Sequence, residues 1–270
     1  MYTRIPHFSP IMVDIAPTRI AIITGAAQGI GEAIALRLAD DGIDVVVNDL
    51  PVKKDKLDWV AKAIQAKGRR SLAVLGDATV EADVVSLVEK AVEAFGGLNI
   101  MVANAGTIQR VPIVDTTIED WDRVINVNLR SVMLAYKHAA RQMIKQGRGG
   151  RIIGAASMAG KKGFAYFPSY CASKFAVRGL TQSVALELAE HNITVNSYAP
   201  GIIPTGLTER AEDEKNGGRC STFLLAAGLP LNVPIGTTAM IAELVAYLVK
   251  PEAQFMTGQC LSIDGGIVMD

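Results

Sequence analysis

The sequence predicts an α/β protein: one doubly wound, parallel sheet of about seven strands with helices on both faces. Two observations carry that expectation. Short β-branched runs alternate with longer helical patterns along the whole chain, as strand–helix–strand units require. Several of those runs are apolar almost throughout, as strands covered on both faces are. At 270 residues the chain has room for one large domain of this kind.

Taken in order, residues 1–18, with Pro6, Pro10 and Pro17, read as an irregular arm ahead of a single domain over 19–270. The first strand is Ile20–Thr24, "IAIIT", and the helix predicted over 30–40 contains the amphipathic "EAIALRLAD". Strands follow at Asp44–Asn48, Ser71–Leu75 and Asn99–Ala103, separated by helical patterns over 55–67 and 81–95. A long helix is expected over 119–146, then a strand at Arg151–Ala156 and a helix over 170–190. Strands at Thr194–Tyr198 and Cys260–Ile263 flank a last helix over 237–249. The stretch Gly206–Pro234 breaks this rhythm, being long, partly charged and then apolar. Segments of that kind are usually lids or mobile loops, and a substrate lid is expected here.

Composition excludes several classes. Lys plus Arg and Asp plus Glu number 27 each, so no charge excess points to nucleic acid or an anionic membrane. No apolar run reaches the roughly 18 residues a membrane span needs, and Ile11–Ala16 is too short and acidic for a signal core. The three cysteines, Cys171, Cys220 and Cys260, are odd in number and far apart. They suggest neither a disulfide framework nor a metal site, and a reduced, cytoplasmic setting is the expectation.

The turn after the first strand is "TGAAQGIG", Thr24–Gly31, with glycines at 25, 29 and 31. Glycines let a backbone turn sharply and approach a pyrophosphate, while the next helix aims its first amides at the charge. A plain linking turn is the other reading of such a stretch. Asp49, eighteen residues past Gly31, stands where an acid would hold a ribose 2′-hydroxyl; a turn residue ahead of Pro51 is its other reading.

Further along, "SYCASKFAVRGL" holds Tyr170 and Lys174 four positions apart. On a helix that spacing puts both on one face, with Cβ atoms about 5–6 Å apart, so phenol and ammonium can share one ligand. Spacing alone does not separate an acid and its tuner from two helix neighbours.

With "GDAT" (76–79), "ANAG" (103–106), "NVNL" (126–129), "GAAS" (154–157), "YCASK" (170–174), "APG" (199–201) and "IDGG" (263–266) following in order, the chain resembles the short-chain dehydrogenase/reductase family over about 19–267. Within that family it is most similar to the acetoin/diacetyl reductase type. The resemblance implies a Rossmann fold, a nicotinamide dinucleotide as hydride carrier and a catalytic set of Asn128, Ser157, Tyr170 and Lys174. Tyr170 would exchange the proton. A free phenol titrates near 10, and Lys174 is expected to favour its ionised form while holding the nicotinamide ribose. Ser157 would hydrogen-bond the reacting oxygen. Asn128 would hold a water in a proton relay; read without the family, it is a mid-helix amide bonded to nearby backbone.

By the same resemblance, Gly25, Gln28, Gly29, Ile30 and Gly31 form the cofactor turn, and Asp49 holds the adenosine ribose. Asp77 and Ala78 would meet the adenine, with Asn104 and Gly106 near the sheet crevice and Asn104 also tying strands together. Pro200, Gly201, Ile203 and Thr205 would meet the nicotinamide, as would Tyr170 and Lys174. No metal is expected, since no His/Cys/Asp cluster accompanies these residues.

Two positions depart from the family pattern. Ala103 precedes Asn104 where many relatives have a second Asn, and "GTTAM" (236–240) replaces an acidic turn before the last helix. His7, His138 and His191 are expected to be structural or solvated, and Cys171 to pack. "AASMAG" lacks the first glycine of a nucleophile elbow, so hydrolase chemistry is disfavoured. The resulting expectation is an oxidoreductase that interconverts a secondary alcohol and its ketone with NAD rather than NADP, on a small ketone or diketone. An NADPH-dependent 3-oxoacyl reductase and a non-catalytic dinucleotide-binding scaffold are the alternatives. A homotetramer, or failing that a homodimer, is implied by the resemblance of "MTGQCLSIDGG" to the family's last strand and tail.

Overall fold

Strands Ile20–Thr24 (β1), Asp44–Asp49 (β2), Ser71–Leu75 (β3), Ile100–Ala103 (β4), Gly150–Ala155 (β5), Ile193–Pro200 (β6) and Cys260–Ile263 (β7) form a single sheet in the order β3-β2-β1-β4-β5-β6-β7. Every neighbouring pair runs parallel. The computed structural model describes residues 19–269, so the arm expected over 1–18, His7 included, lies outside the described residues.

The helices are Gly29–Asp40 (α1), Lys54–Ala66 (α2), Glu81–Phe95 (α3), Ile118–Ile125 (α4), Ser131–Gln146 (α5), Pro168–Leu188 (α6), Asp213–Asn216 (α7), Ser221–Ala226 (α8) and Thr238–Leu248 (α9). Residues of α1, α2 and α9 pack with Ala21 and Ile23 in one core layer. Residues of α3, α5 and α6 pack with Ile22 in the other. Successive β1 side chains thus enter opposite layers, which is why that strand is apolar without alternation. Burying an isoleucine such as Ile22 or Ile23 fully contributes about 1.5–3 kcal/mol, and both are 0 % exposed.

The chain winds outward from β1 to β3, then crosses back to start β4 on the other side of β1. At that reversal, helices leave the carboxyl ends of neighbouring strands in opposite directions, and a crevice opens between them. Thr24 and Ala103 end β1 and β4 there, so the glycine turn and Asn104 flank the crevice by topology alone.

The main differences from expectation lie in two elements. The helix predicted over 119–146 is α4 and α5 joined by a π-turn, Asn126–Arg130, which accommodates an extra residue in the helical path. β6 runs on to Pro200, because β7 pairs with it through Pro200↔Ile263. A proline is tolerated there because it closes the strand. The "GTTAM" stretch starts α9 without its usual acids: Thr237 caps the helix, accepting from the Met240 amide at 3.3 Å.

Candidate active site

The glycine turn is tight because its atoms have no room to be otherwise. Gly25 and Gly29 both take φ of +64°, a left-handed conformation that a side chain would strain. A Cβ on Gly31 would lie 2.3 Å from the Gly25 carbonyl oxygen and 2.5 Å from Asn104 Nδ2. Asn104 holds the turn against β4: its Nδ2 donates to the carbonyls of Thr24 (2.9 Å) and Gly25 (3.1 Å). Its Oδ1 accepts the Tyr198 hydroxyl at 2.8 Å. Thr24 completes the tie, its Oγ1 accepting the amides of Asn104 and Ala105, each at 3.1 Å. Sequence reading did not single out Thr24; a threonine closing an apolar strand gives no local signal of that role.

At one end of the cleft, the Asp49 carboxylate accepts the Ala27 amide at 3.0 Å on one oxygen and the Leu50 amide at 2.8 Å on the other. Each oxygen keeps capacity for a further donor. Lys53 also lines this end, its Nζ 3.5 Å from Gln28 Oε1, whereas Lys54 pairs with Asp58 on α2. Asp77 Oδ1 accepts the Thr79 amide at 2.8 Å.

At the other end, Tyr170 and Lys174 lie on α6 as their spacing requires, with Lys174 Nζ 5.6 Å from the centre of the Tyr170 ring. The Ser157 hydroxyl stands beside the Tyr170 phenol and favours its ionised form. Ser157 follows β5 and caps the short turn Met158–Gly160, its Oγ accepting the Ala159 amide at 3.1 Å. Lys174 Nζ donates to the Ala155 carbonyl at 2.8 Å. Burial pushes the Lys174 ammonium down to about 8. Burial also pushes the Tyr170 phenol above its usual value, and the nearby Ser157 hydroxyl offsets only part of this.

Asn128 sits at the π-turn and is fully buried. Its Nδ2 donates to the Thr107 carbonyl (2.9 Å) and Ser173 Oγ (3.1 Å), and its Oδ1 accepts the Thr107 amide (2.8 Å). Both amide hydrogens are thereby used, leaving one lone pair of Oδ1 for a water. The plain reading, an amide bonded to backbone, describes what its side chain does; that backbone belongs to the strand exit after β4 rather than to its own helix.

The stretch 206–234 folds over the cleft mouth as α7, α8 and turns. Asp213 organises it: the carboxylate accepts the amides of Arg210 (3.0 Å), Cys220 (3.0 Å) and Thr222 (2.9 Å). Those backbone donors, Arg210's foremost, hold its acid down at about 2. Cys220 adopts φ of +59° to reach this bond.

A cleft of about 400 Å³ joins the two ends, with sixteen of the eighteen expected site residues on its wall. The two exceptions are Gly31, whose close packing shapes the turn from behind, and Asn128, which stands behind Thr107. Also on the wall, and not anticipated, are Ile108, Phe164, Phe167, Phe223 and Leu229. They come from three separate loops, whose sequences carry no periodicity. His138, paired with Glu81 at 2.9 Å, and His191, beside Glu190, lie off the cleft wall.

A long cleft across a topological switch point, with a glycine turn at a helix start and a carboxylate at one end, has the form of a dinucleotide site. The comparisons narrow this class. A family model for short chain dehydrogenases matches residues 19–216. The chain is 45 % identical over 260 residues to a short-chain dehydrogenase/reductase of Armillaria gallica, covering 95 % of this chain and 98 % of that one. It is 38 % identical to the L-2,3-butanediol dehydrogenase of Corynebacterium glutamicum, covering 93 % and 99 %. Among solved structures, the acetoin dehydrogenase of Salmonella typhimurium superposes with a TM-score of 0.80 at 32 % identity, covering 93 % of this chain and 96 % of that one. The chain belongs to the short-chain dehydrogenase/reductase family, oxidoreductases that act on CH–OH groups with NAD(H) or NADP(H).

Proposed function

We propose that this chain interconverts a secondary alcohol and its ketone with NAD(H). The observation that carries the chemistry is the meeting of Tyr170, Ser157 and Lys174 at one end of the cleft. The dinucleotide, when bound, supplies or receives the hydride. In reduction Tyr170 would give its proton to the ketone oxygen as the carbonyl carbon is reduced, and in alcohol oxidation its phenolate would take that proton back. Ser157, beside the Tyr170 hydroxyl on the same wall, is placed to donate to the same oxygen as its charge develops. Lys174 contributes positive charge beside the ring and is within reach of a ribose. Asn128 fixes the Thr107 strand exit and has one lone pair to offer a relay water.

Asp49 supports NAD over NADP. Its carboxylate can accept from both ribose hydroxyls, while a 2′-phosphate would meet like charge there, at a cost of several kcal/mol. Lys53, held toward Gln28 on the same wall, favours the NADPH-dependent 3-oxoacyl reductase reading. The expected result is a kcat/KM at least tenfold higher with NADH than with NADPH, a gap of about 1.4 kcal/mol. Asp49→Ala narrows the ratio and Lys53→Ala widens it. Steady-state kinetics with both cofactors at one saturating ketone decides this; an equal or NADPH-favouring ratio would sink the assignment. Absence of turnover with every ketone and both cofactors would leave the scaffold reading.

The homotetramer is part of the same proposal. Met133 and Ile144 on α5, Phe175 and Leu186 on α6, and Phe255 near β7 are large apolar side chains exposed on the single chain. Isologous packing of such faces is how closed symmetric oligomers form. Light scattering at micromolar concentration is expected to give four times the chain mass, and a monomer would refute it.

A further inference from the structure

The end of the cleft beyond Tyr170 has a chemical character of its own. Tyr170 packs in a cluster with Ala159, Phe167 and Cys171, joined by Ile108, Phe164, Phe223 and Ala227. The rings of Phe167 and Phe223 approach to 5.9 Å at an interplanar angle of 51°, closing one corner. Phe223 also packs into the neighbouring cluster of Met158, Cys220 and Leu224, joined by Leu229. α8 therefore presents carbon to the space in front of the phenol.

Charge is missing from the same wall. Among the described residues, the charged side chains lining the cleft are Asp49, Lys53, Asp77 and Lys174. Asp49 ends β2, and Lys53 and Asp77 follow β2 and β3, at the far side of the glycine turn. Lys174 is committed to the Ala155 carbonyl. Arg110, next after Ile108 and Gln109, faces elsewhere: its Nε donates to the Ala226 carbonyl at 2.6 Å and its guanidinium lies 4.7 Å from the centre of the Tyr166 ring. The Thr208 hydroxyl is used as well, donating to the Ile203 carbonyl at 2.6 Å. What remains for a substrate is the hydroxyl pair of Ser157 and Tyr170, the Thr107 side chain, and a wall of aliphatic and aromatic carbon.

We infer that the substrate is an uncharged ketone or secondary alcohol whose reacting carbon belongs to an apolar body of ring size or larger. This deepens the oxidoreductase reading above and rests on it. A four-carbon diketone would leave most of the Ile108, Phe164, Phe167, Phe223 and Leu229 surface uncovered. A keto acid would place a carboxylate against carbon with no cation to meet it, which is strongly unfavourable. By contrast, each methylene that a larger ketone buries here raises affinity about fourfold. On this point the inference departs from the small-diketone expectation, because the loops that build the wall are brought together only by the fold.

Binding tests the pocket separately from turnover. Calorimetric titration of the protein loaded with NAD⁺, which has no hydride to give a ketone, with 2-decalone, 2,3-butanedione and acetoacetate is expected to give a Kd for decalone at least 30-fold below that of butanedione, with acetoacetate weaker still. A Kd for butanedione or acetoacetate equal to or below that of decalone overturns the inference, whatever the kinetics. Ile108→Asp is expected to weaken decalone at least tenfold, and the milder Ile108→Ala several-fold, without improving butanedione. Unchanged decalone affinity in both variants, with melting temperatures near that of the parent chain, also overturns it. Decalone that binds as expected but is not reduced supports the apolar pocket and counts against the oxidoreductase reading, so the two fail separately.

Discussion

Tyr170→Phe is expected to lower kcat for ketone reduction at least a hundredfold while leaving the dinucleotide Kd within threefold of the parent value. The ring stays, and with it the packing against Phe167 and Cys171; what disappears is the hydroxyl beside Ser157. A positioned general acid contributes about 10²–10⁴ in rate, so the loss should be unmistakable. Retention of a tenth of the parent kcat would mean that another group supplies the proton.

The pH dependence has a defined sign. Because burial holds the Tyr170 phenol above its usual value, it is protonated at neutral pH, the form needed for reduction. Alcohol oxidation needs the phenolate, so its rate should climb as pH rises. Lys174 loses its proton near 8, so reduction should be level below that value and decline above it. Parallel kcat/KM profiles in the two directions between pH 6 and 10 check this, and identical profiles would contradict it.

Gly31→Ala is expected to raise the dinucleotide Kd at least a hundredfold and to lower the melting temperature. The added methyl group meets the Gly25 carbonyl and the Asn104 amide well inside contact distance, and neither can simply swing aside. Asn104 is bonded at both ends, to the turn and to Tyr198, so displacing it disturbs the exits of β1, β4 and β6 together. Overpacking of this kind costs about 1–3 kcal/mol in stability even where the fold survives. Equilibrium titration with NADH, alongside thermal unfolding, separates the two effects. A variant that melts like the parent and binds NADH within threefold would show that the turn does not seat the cofactor.

Much of the fold is legible in the sequence, for reasons that particular residues make plain. Ile20–Thr24 and Asp44–Asp49 are apolar, β-branched runs, and a parallel strand buried on both faces needs little else to declare itself. Tyr170 and Lys174 are four apart, and helical geometry alone puts them on one face. The glycines at 25, 29 and 31 mark a backbone that must turn where side chains do not fit, and the structure shows what each would strike. All of these are local signals, set within a turn or a strand.

Other features depend on which distant segments come to rest together. The π-turn at Asn126–Arg130 sits in a stretch that reads as continuous helix. What accompanies it is the Asn128 amide bonding Thr107 and Ser173, neither of which is near it in the chain. Asp213 reads as one more acid in a charged stretch until the loop closes and three amides converge on it. Ile108, Phe167 and Phe223 reach one wall only because β4, β5 and β6 deliver their loops to the same edge of the sheet. The sequence by itself therefore determined the strands, the glycine turn and the tyrosine with its lysine, since each rests on neighbours bound by chain geometry. The tertiary structure alone decided the character of the substrate pocket, since that is a property of surfaces assembled across more than a hundred residues, which no local period records.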